Sequence, residues 1–476
     1  MDENRPPRPL QLHEDRYFDP SPPVRRIARQ LYDETKNLPI VGPHGHVPPR
    51  LLAEDTPFPE PSSLLIKPDH YVFRLLYSQG VAMEDLGIPT QDDTPVESDP
   101  RAIWQRFAEH YYLFEGTPTG AWLDYEFYHL FDVREKLTGE NAQRIYDQIH
   151  EKLQQPGFRP RALFERFDIE VLTTTDPAHS ELEHHRTLRE DGWGERVRPC
   201  FRPDAVFSIA DPEWEDHLHA LEDAAGRSIH DYDTFIEVLE DRRAFFKEMG
   251  ATSTDHGVYS PCTHRLSDQE AEQRFQTALQ GEATDEDERA FVAHMLMEMA
   301  RMSVEDGLVM QIHPGSLRDH NRPIYERFGS DVGADIPVRT EYTRNLEEVL
   351  NAYGNDPNFR LVVFTLDESA YSRELAPLAG HYPALRLGPP WWFHDSIEGM
   401  MRYRTRVTET ASIYNTAGFN DDTRAFCSIP ARHDLCRRVD ANYLARLVAR
   451  HQIDLEEARR MAHALAYGLV KDTYRL

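Results

Sequence analysis

The chain has 476 residues, of which 40% are hydrophobic, and its 82 Asp and Glu against 53 Lys and Arg give a formal net charge of −29. This apolar content is too high for a disordered chain, and an acid excess without any Lys/Arg-rich run argues against general nucleic-acid binding. No stretch approaches the roughly 18 apolar residues of a membrane helix, and the polar N-terminus lacks the apolar segment of a signal peptide. Four widely spaced cysteines without a C-x-x-C pair argue against a disulfide scaffold or a thiolate zinc site. We therefore predict a cytoplasmic protein with neither a nucleic-acid nor a membrane partner.

Eight short apolar runs alternate along the chain with stretches of helical periodicity. The predicted strands are Leu38–Val41, Ile169–Thr174, Arg196–Phe201, Gly250–Thr254, Leu308–Ile312, Leu361–Thr365, Leu385–Leu387 and Thr416–Phe419. Helical stretches between them include Thr234–Met249, Glu286–Glu305, Thr343–Tyr353 and Ser396–Tyr414. This alternation is typical of parallel strands joined by helical crossovers. Eight such units predict an α/β fold of the (β/α)8 TIM-barrel type.

The interval between the first and second predicted strands is long and mostly helical. We predict an N-terminal segment over residues 1–37 and a barrel over 38–440, with a large helical insertion at about 75–165. A helical C-terminal segment is expected over 441–476, and a second helical insertion over 212–245.

The first predicted strand is followed by the run Gly42-Pro43-His44-Gly45-His46. Residues i and i+2 of an extended backbone point the same way, so His44 and His46 can both face the barrel interior. Functional groups of such barrels sit at the carboxyl ends of the strands, and two neutral imidazoles at this spacing suit a divalent first-row metal. An isolated H-x-H pair is also compatible with two ordinary loop histidines, but its position after the first strand favours a metal site.

The last predicted strand is followed by Asp422 and Arg424, which share one face by the same rule. The carboxylate can complete a metal site, and the guanidinium can bind a substrate carboxylate through two hydrogen bonds. An Asp–Arg pair on a surface loop is the simpler alternative. Other strand ends also carry candidate groups, each with a structural alternative: Arg202, Asp255, His313 and Trp391.

His70 and Tyr71 lie where a turn is predicted to lead into a helix. They are candidate proton carriers or hydroxyl partners of a sugar, with a solvated helix face as the plain alternative. Because the ordinary pKa of tyrosine is near 10, we expect a nearby cation to lower the pKa of Tyr71 if it carries protons.

Taken together, these motifs are similar to those of uronate isomerases (glucuronate isomerase) in the amidohydrolase superfamily. The resemblance covers residues 38–440 in the family's order, and no single motif in it is specific. Besides the H-x-H pair, it rests on Asp69-His70-Tyr71, Phe114-Glu115-Gly116-Thr117-Pro118, Thr174-Thr175-Asp176, Phe201-Arg202-Pro203-Asp204, Asp255-His256-Gly257, Trp391-Trp392-Phe393, Asp422-Thr423-Arg424-Ala425-Phe426 and Arg432-His433-Asp434.

The resemblance implies an aldose–ketose isomerase of uronates, converting D-glucuronate to D-fructuronate and D-galacturonate to D-tagaturonate through an enediol. It implies one divalent metal, with zinc expected, held by His44, His46 and Asp422. Tyr71, Asp422 and Arg424 are the implied catalytic groups. The implied substrate-binding residues are His70, Arg202, Asp255, His313 and Trp391. We also expect a homo-oligomer, and a local cluster of arginines that attracts an anionic substrate to an acidic protein.

Three positions depart from the family pattern. The first motif of the family usually reads D-x-H-C-H, whereas Gly42 and Gly45 stand here at the Asp and Cys places, and Asp434 replaces a usual Glu. Two alternatives stay open. One is a metal-dependent hydrolase or decarboxylase on the same barrel, and the other is a sugar-acid-binding protein without catalysis.

Overall fold

The computed structural model describes residues 8–476, and most strands within this range are short and parallel. The strands are β1 (Ile40–Gly42), β2 (Ile169–Thr173), β3 (Asp176–Pro177), β4 (Val197–Arg198), β5 (Phe201–Arg202), β6 (Ser253–Val258), β7 (Val309–Pro314), β8 (Ser316–Leu317), β9 (Ile336–Pro337), β10 (Leu361–Val363) and β11 (Leu385–Leu387). Among the strands of the described residues, only β8 and β9 pair in antiparallel fashion, and an isolated antiparallel bridge joins Pro9 and Glu135.

The parallel strands follow one another in space in the same order as in the chain. One sheet has the order β1-β2-β4, and the other has the order β11-β10-β7-β6-β5-β3. The two sheets are continuous through the chain, because β2 and β3, like β4 and β5, are separated by only two residues. Thr416, at the start of the eighth predicted strand, forms a parallel bridge with Leu387. The order confirms the predicted (β/α)8 barrel.

The first and eighth segments meet just beyond their strands. The backbone N–H of His46 donates a hydrogen bond of 3.0 Å to the carbonyl oxygen of Thr423. This bond brings the two ends of the strand order together at the carboxyl side of the barrel, where the H-x-H and D-x-R motifs lie.

Several predicted strands differ from those observed. The first is shifted to Ile40–Gly42, the third is divided into β4 and β5, the sixth ends at Val363, and the eighth is reduced to the bridge at Thr416.

Two further differences concern the site. The fourth was expected over Gly250–Thr254, but β6 covers Ser253–Val258 and pairs with β7 along its whole length. The fifth was expected to end at Ile312, but β7 continues to Pro314. The polar residues at these ends are typical of loops, so the sequence predicts that the strands stop before them. In the structure, Asp255 and His313 lie within the strands because β6 and β7 pair with each other there.

Helices surround the strands and follow the predicted pattern. Within residues 8–476 they are α1 (Pro22–Thr35), α2 (Pro49–Glu54), α3 (Pro61–Leu65), α4 (His70–Tyr77), α5 (Pro100–Glu109), α6 (Pro118–Tyr125), α7 (Ala142–Leu153), α8 (Pro160–Arg166), α9 (Glu183–Glu190), α10 (Asp204–Phe207), α11 (Trp214–Ala225), α12 (Tyr232–Glu248), α13 (Asp268–Leu279), α14 (Asp285–Asp306), α15 (Arg322–Phe328), α16 (Glu347–Tyr353), α17 (Ala376–Ala379), α18 (Ile397–Ala411), α19 (Ile429–Ala449), α20 (Leu455–His463) and α21 (Leu469–Tyr474). Along the described part of the chain, no helix has the length and hydrophobicity needed to cross a membrane.

Helices α2 to α8 all lie between β1 and β2. Their apolar side chains, among them Trp104, Phe107 and Phe127, belong to one buried cluster that also includes Ile40 of β1 and Ile169 of β2. At the other end of the chain, α19 packs against α1 and α20. The boundary expected at residue 441 falls inside α19, which is one continuous helix. The division into segments stays a prediction, and residues 1–7 of its first segment lie outside the described range.

The barrel interior is filled by aliphatic side chains from the strands and by the end of the chain. Val41, Val171 and Val362 belong to one buried cluster with Val470 and Tyr474 of α21. The Tyr474 hydroxyl donates to Gln311 Oε1 over 3.0 Å. The C-terminal helix therefore contributes directly to the core of the barrel.

Candidate active site

A cavity of about 530 Å³ opens at the carboxyl ends of the strands. All ten residues predicted for the site line this cavity: His44, His46, His70, Tyr71, Arg202, Asp255, His313, Trp391, Asp422 and Arg424. They come from segments more than 370 residues apart in the sequence, which the barrel order brings to one end of the molecule. Carboxyl ends of parallel strands meet at one face of such a barrel, so their side chains converge.

His44, His46 and Asp422 form a compact group. Asp422 Oδ1 lies 3.3 Å from His44 Nε2 and 3.2 Å from His46 Nε2. Asp422 adopts a left-handed backbone with φ of +44°. This conformation costs energy and persists only where the surrounding structure holds it. Burial opposes the charge of this carboxylate, but His44 and His46 beside it hold the pKa of Asp422 well below its ordinary value.

The three groups fit a metal ion. Ligand atoms at about 2.1 Å from a tetrahedral zinc are separated by about 3.4 Å, close to the separations observed here. Asp422 Oδ1 is buried and receives no hydrogen bond. A buried carboxylate oxygen without a hydrogen-bond donor is what a metal-binding site requires before the ion is bound. The same set, and a second one sharing His44 with Asp255 and His313, have ligand atoms within 4.8 Å of one another.

Asp255 and His313 form the second polar pair of the cavity floor. They lie on the adjacent strands β6 and β7, and His313 Nδ1 is 2.6 Å from Asp255 Oδ1. The His313 ring stacks on His44 with ring centroids 4.6 Å apart. Burial disfavours a charge on both residues. Because His313, His44 and Arg202 surround the carboxylate, the pKa of Asp255 lies well below its ordinary value.

Arg202 is held at the cavity wall by two carboxylates. Its Nε donates to Asp204 Oδ2 over 2.6 Å, and its Nη1 lies 3.3 Å from Asp255 Oδ2. Gly257 makes this placement possible, because a Cβ at that position would lie 2.4 Å from Arg202 Nη2. The glycine of the Asp255-His256-Gly257 motif is thus explained by close approach of a guanidinium.

His70 and Tyr71 begin helix α4. Asp69 caps the helix, because its side chain accepts a hydrogen bond of 2.8 Å from the backbone N–H of Tyr71. Burial and the nearby Arg424 lower the pKa of His70 to about 3. For Tyr71 the expectation of a lowered pKa is wrong: burial raises the pKa of its hydroxyl well above the ordinary value, and the opposing effect of Arg432 is smaller.

Sequence reasoning left Arg432, Asp395 and Asp331 out of the predicted site. Arg432 lies 3.6 Å over the Trp122 ring and 2.9 Å from Asp395 Oδ2, with both charged groups buried. Arg432 could have been found from the sequence, because it belongs to the Arg432-His433-Asp434 motif. Asp331 could not, because its segment has neither periodicity nor a motif. Asp434 of that motif instead binds Arg438 and the N-terminal residue Arg16.

The two glycines that depart from the family pattern lie beside a buried carboxylate. A Cβ at Gly42 would lie 3.6 Å from Asp421 Oδ2, and one at Gly45 would lie 3.8 Å from Asp421 Oδ1. Asp421 is almost completely buried and lies 3.1 Å from His433 Nε2. Its carboxylate fills the space next to both glycines.

The cavity brings four arginines together, as the expected local cluster requires, but it holds more carboxylates than guanidinium groups. Its lining includes eight Asp side chains against four Arg. Every one of these arginines is paired with an Asp: Arg202 with Asp204 and Asp255, Arg318 with Asp335, Arg424 with Asp331 and Arg432 with Asp395. An anion that enters the cavity therefore meets guanidinium groups that already have partners.

The fold and the site define a (β/α)8 barrel with a candidate metal centre at the carboxyl ends of its strands. The family model described as glucuronate isomerase matches residues 24–474. A uronate isomerase of Nostoc punctiforme is 58% identical over 466 residues, covering 98% of each chain. One of Xanthomonas campestris is 53% identical over 473 residues, covering 99% of this chain and all of the other. The chain belongs to the glucuronate isomerase family.

Solved structures agree with this assignment. The crystal structure of glucuronate isomerase from Caulobacter crescentus has a TM-score of 0.96 and 50% identity, covering 98% of each chain. The uronate isomerase of Thermotoga maritima has a TM-score of 0.91 and 27% identity, covering 98% of this chain and 99% of the other. A putative metal-dependent hydrolase of Lactobacillus casei, 12% identical with a TM-score of 0.52, shares the fold alone.

Proposed function

We propose that this protein is an aldose–ketose isomerase that interconverts D-glucuronate and D-fructuronate, and that it also converts D-galacturonate to D-tagaturonate. The observation that carries the proposal is the 58% identity, over 98% of both chains, to a protein named uronate isomerase. The convergence of all ten predicted residues on one cavity supports it. The hydrolase and the non-catalytic binder are not favoured, because the full-length relatives at 52–58% identity are named uronate isomerases.

We assign the metal to His44, His46 and Asp422, and propose zinc. When bound, a divalent ion supplies Lewis-acid polarisation of a substrate oxygen. The buried imidazole of His44 and the restrained backbone of Asp422 pre-organise these ligands.

The exchange moves a proton between C2 and C1 and also needs protons to pass between the two oxygens. Tyr71 keeps its hydroxyl proton, because burial raises its pKa, so it acts as a donor to a substrate oxygen. The ionised Asp422 is a proton acceptor. Arg424 binds the C6 carboxylate, Arg202 and the Asp255–His313 pair bind hydroxyls, and Trp391 with neutral His70 shapes the wall.

The test is incubation of the purified protein with each uronate in deuterated water, with metal analysis of the same sample. Ketose formation with solvent deuterium at C1 supports proton transfer through an enediol. Full retention of a deuterium label placed at C2 favours a hydride shift. Hydrolysis of lactones or amides without ketose formation would contradict the isomerase.

The homo-oligomer and the cytoplasmic location stay predictions. Light scattering on the purified protein checks the first, and cell fractionation checks the second.

A further inference from the structure

Arg424, the residue assigned to the substrate carboxylate, already binds a carboxylate of the protein. Its Nη2 lies 2.8 Å from Asp331 Oδ2 at the mouth of the cavity. The contact bridges 93 positions in the sequence and is a charge-assisted hydrogen bond. An aspartate side chain presents to the guanidinium the same group that the C6 carboxylate of a uronate would present.

This ion pair differs from the others in the cavity. The side chains of Arg424 and Asp331 are 37% and 47% exposed, whereas each of the other cavity arginines has a buried Asp partner. Partly exposed pairs contribute little to stability, because water competes for both ions. Breaking a buried pair instead leaves an uncompensated charge. Among the four cavity arginines, Arg424 is therefore the one whose partner can be exchanged at small cost.

Asp331 also has a second cation within reach. Arg318 Nη1 lies 3.9 Å from Asp331 Oδ1, while its main partner is Asp335 at 2.7 Å. A small rotation of the Asp331 side chain away from Arg424 would keep it beside Arg318. The displaced carboxylate thus stays next to a positive charge and in contact with water.

We infer that Asp331 is an internal competitor for the substrate: it holds Arg424 in the free enzyme and is displaced when the carboxylate of a uronate binds there. The inference rests on the proposed function. It deepens that function by assigning Asp331 as an affinity-determining residue for anionic sugars. A neutral sugar has no carboxylate to exchange for that of Asp331, so the pair also selects for acidic substrates.

The segment that carries Asp331 packs against helix α4, which begins with the site residues His70 and Tyr71. It lies between β8 and β9, and Gly333 packs so closely on helix α4 that a Cβ there would lie 2.6 Å from Arg74 Cβ. Asp331 itself has φ of +62°, a backbone that Asn adopts as readily as Asp. The variant Asp331→Asn therefore removes the charge while keeping the backbone and nearly the same shape.

The experiment compares steady-state kinetics of the metal-loaded wild-type protein, Asp331→Asn and Asp93→Asn on D-glucuronate and D-galacturonate. Asp93 is the matched control, because it is exposed, has φ of +58° and lies outside the cavity. We expect Asp331→Asn to lower KM by about two- to fivefold, the fold-change that corresponds to an exposed ion pair. Asp93→Asn should keep the KM of the wild type.

An unchanged or raised KM in Asp331→Asn, with an active wild-type enzyme, overturns the inference. An equal decrease in both variants also overturns it, since a general loss of negative charge then explains the effect. A wild-type protein that converts neither uronate overturns the proposed function itself, so the two failures are distinguishable. Asp331→Gly, which also tolerates the left-handed backbone, repeats the measurement with no side chain to bind Arg424.

Discussion

At the scale of single residues, Asp422 is the residue on which the proposed metal site and the proposed proton transfer both depend. Its carboxylate is carried by a left-handed backbone and lies between His44 and His46, and its Oδ1 receives no hydrogen bond. The same carboxylate serves as a metal ligand and a proton acceptor in the proposed reaction. Replacing this carboxylate by the carboxamide of Asn therefore weakens metal binding and removes the proton acceptor at once.

For Asp422→Asn we expect a kcat lower by about 100-fold or more, the range seen when a positioned acid–base group is lost, together with weaker metal binding. The fold should persist, because Asn tolerates a positive φ. Steady-state kinetics, metal analysis and thermal melting check this. A variant with the rate of the wild type would show that the site is assigned to the wrong carboxylate.

Glu126 is a second constrained residue, outside the cavity. It is almost completely buried, and its Oε2 has no hydrogen-bond partner among the described residues. Burial, aided by Asp69, raises the pKa of Glu126 from 4.5 to about 8. The folded protein thus keeps the proton up to about pH 8, whereas the unfolded chain loses it near pH 4.5.

The free energy of unfolding should therefore fall as the pH rises from 4.5 to 8, by up to about 1.4 kcal/mol per pH unit from this group. Glu126→Gln cannot ionise, so its stability relative to the wild type should rise over the same window. Urea unfolding at pH 5 and pH 8 measures the difference. Glu151→Gln, at an exposed position of α7, controls for the loss of a charge. Parallel pH dependence of Glu126→Gln and the wild type would contradict the assignment.

At the scale of elements, a buried ion pair joins helices α18 and α19. Arg404 Nε and Nη2 lie 2.6 Å and 3.0 Å from the two carboxylate oxygens of Asp440, and both residues are buried. Helix α19 also carries Arg432, which contacts Asp395 and Trp122 at the site. The packing of α18 on α19 therefore supports the element that holds the cavity wall.

Replacing Arg404 by Met should cost about 3–5 kcal/mol in the free energy of unfolding, because Asp440 is left as a buried, unpaired charge. The matched variant is Arg144→Met, whose ion pair with Glu135 is partly exposed and contributes about 0–1 kcal/mol. Denaturant unfolding of the two variants gives the comparison. Equal losses would mean that Asp440 finds another partner.

At the scale of the whole molecule, the barrel is completed by the C-terminal helix rather than by its strands alone. Tyr474 of α21 lies in the interior with Val41 and Val362, and its hydroxyl binds Gln311 on β7. Gln311 also lies 3.8 Å from the thiol of Cys200, next to β5. One residue near the chain end thus links core packing to the strands under the site.

Tyr474→Phe should lower the free energy of unfolding by about 1–3 kcal/mol, because Gln311 loses a buried partner. Tyr474→Ala should cost about 3–5 kcal/mol through the cavity it leaves. Tyr414→Phe, at a half-exposed tyrosine, should change stability little. The three denaturation curves test this, and a Tyr474→Ala variant as stable as the wild type would contradict the role of α21 in the core.

Much of this arrangement could be predicted from local sequence. The alternation of apolar runs and helical stretches predicts the barrel, because strand and helix periodicities are properties of neighbouring residues. The His44–His46 and Asp422–Arg424 pairs could be recognised because each pair follows a predicted strand and its two members are two positions apart in the sequence. The strand ends at Asp255 and His313 were placed too early, since pairing with a neighbouring strand, not local polarity, decides where a strand stops.

The sequence by itself thus determined the order of elements, the family and the candidate side chains at the strand ends. Only the tertiary structure decided which charges meet: Asp331 with Arg424, Asp395 with Arg432, and Asp421 beside Gly42 and Gly45. It also decided that burial raises the pKa of Tyr71 despite Arg432. The physical reason is that electrostatic interaction and desolvation depend on distance and burial in space. Neither quantity is encoded by spacing along the chain.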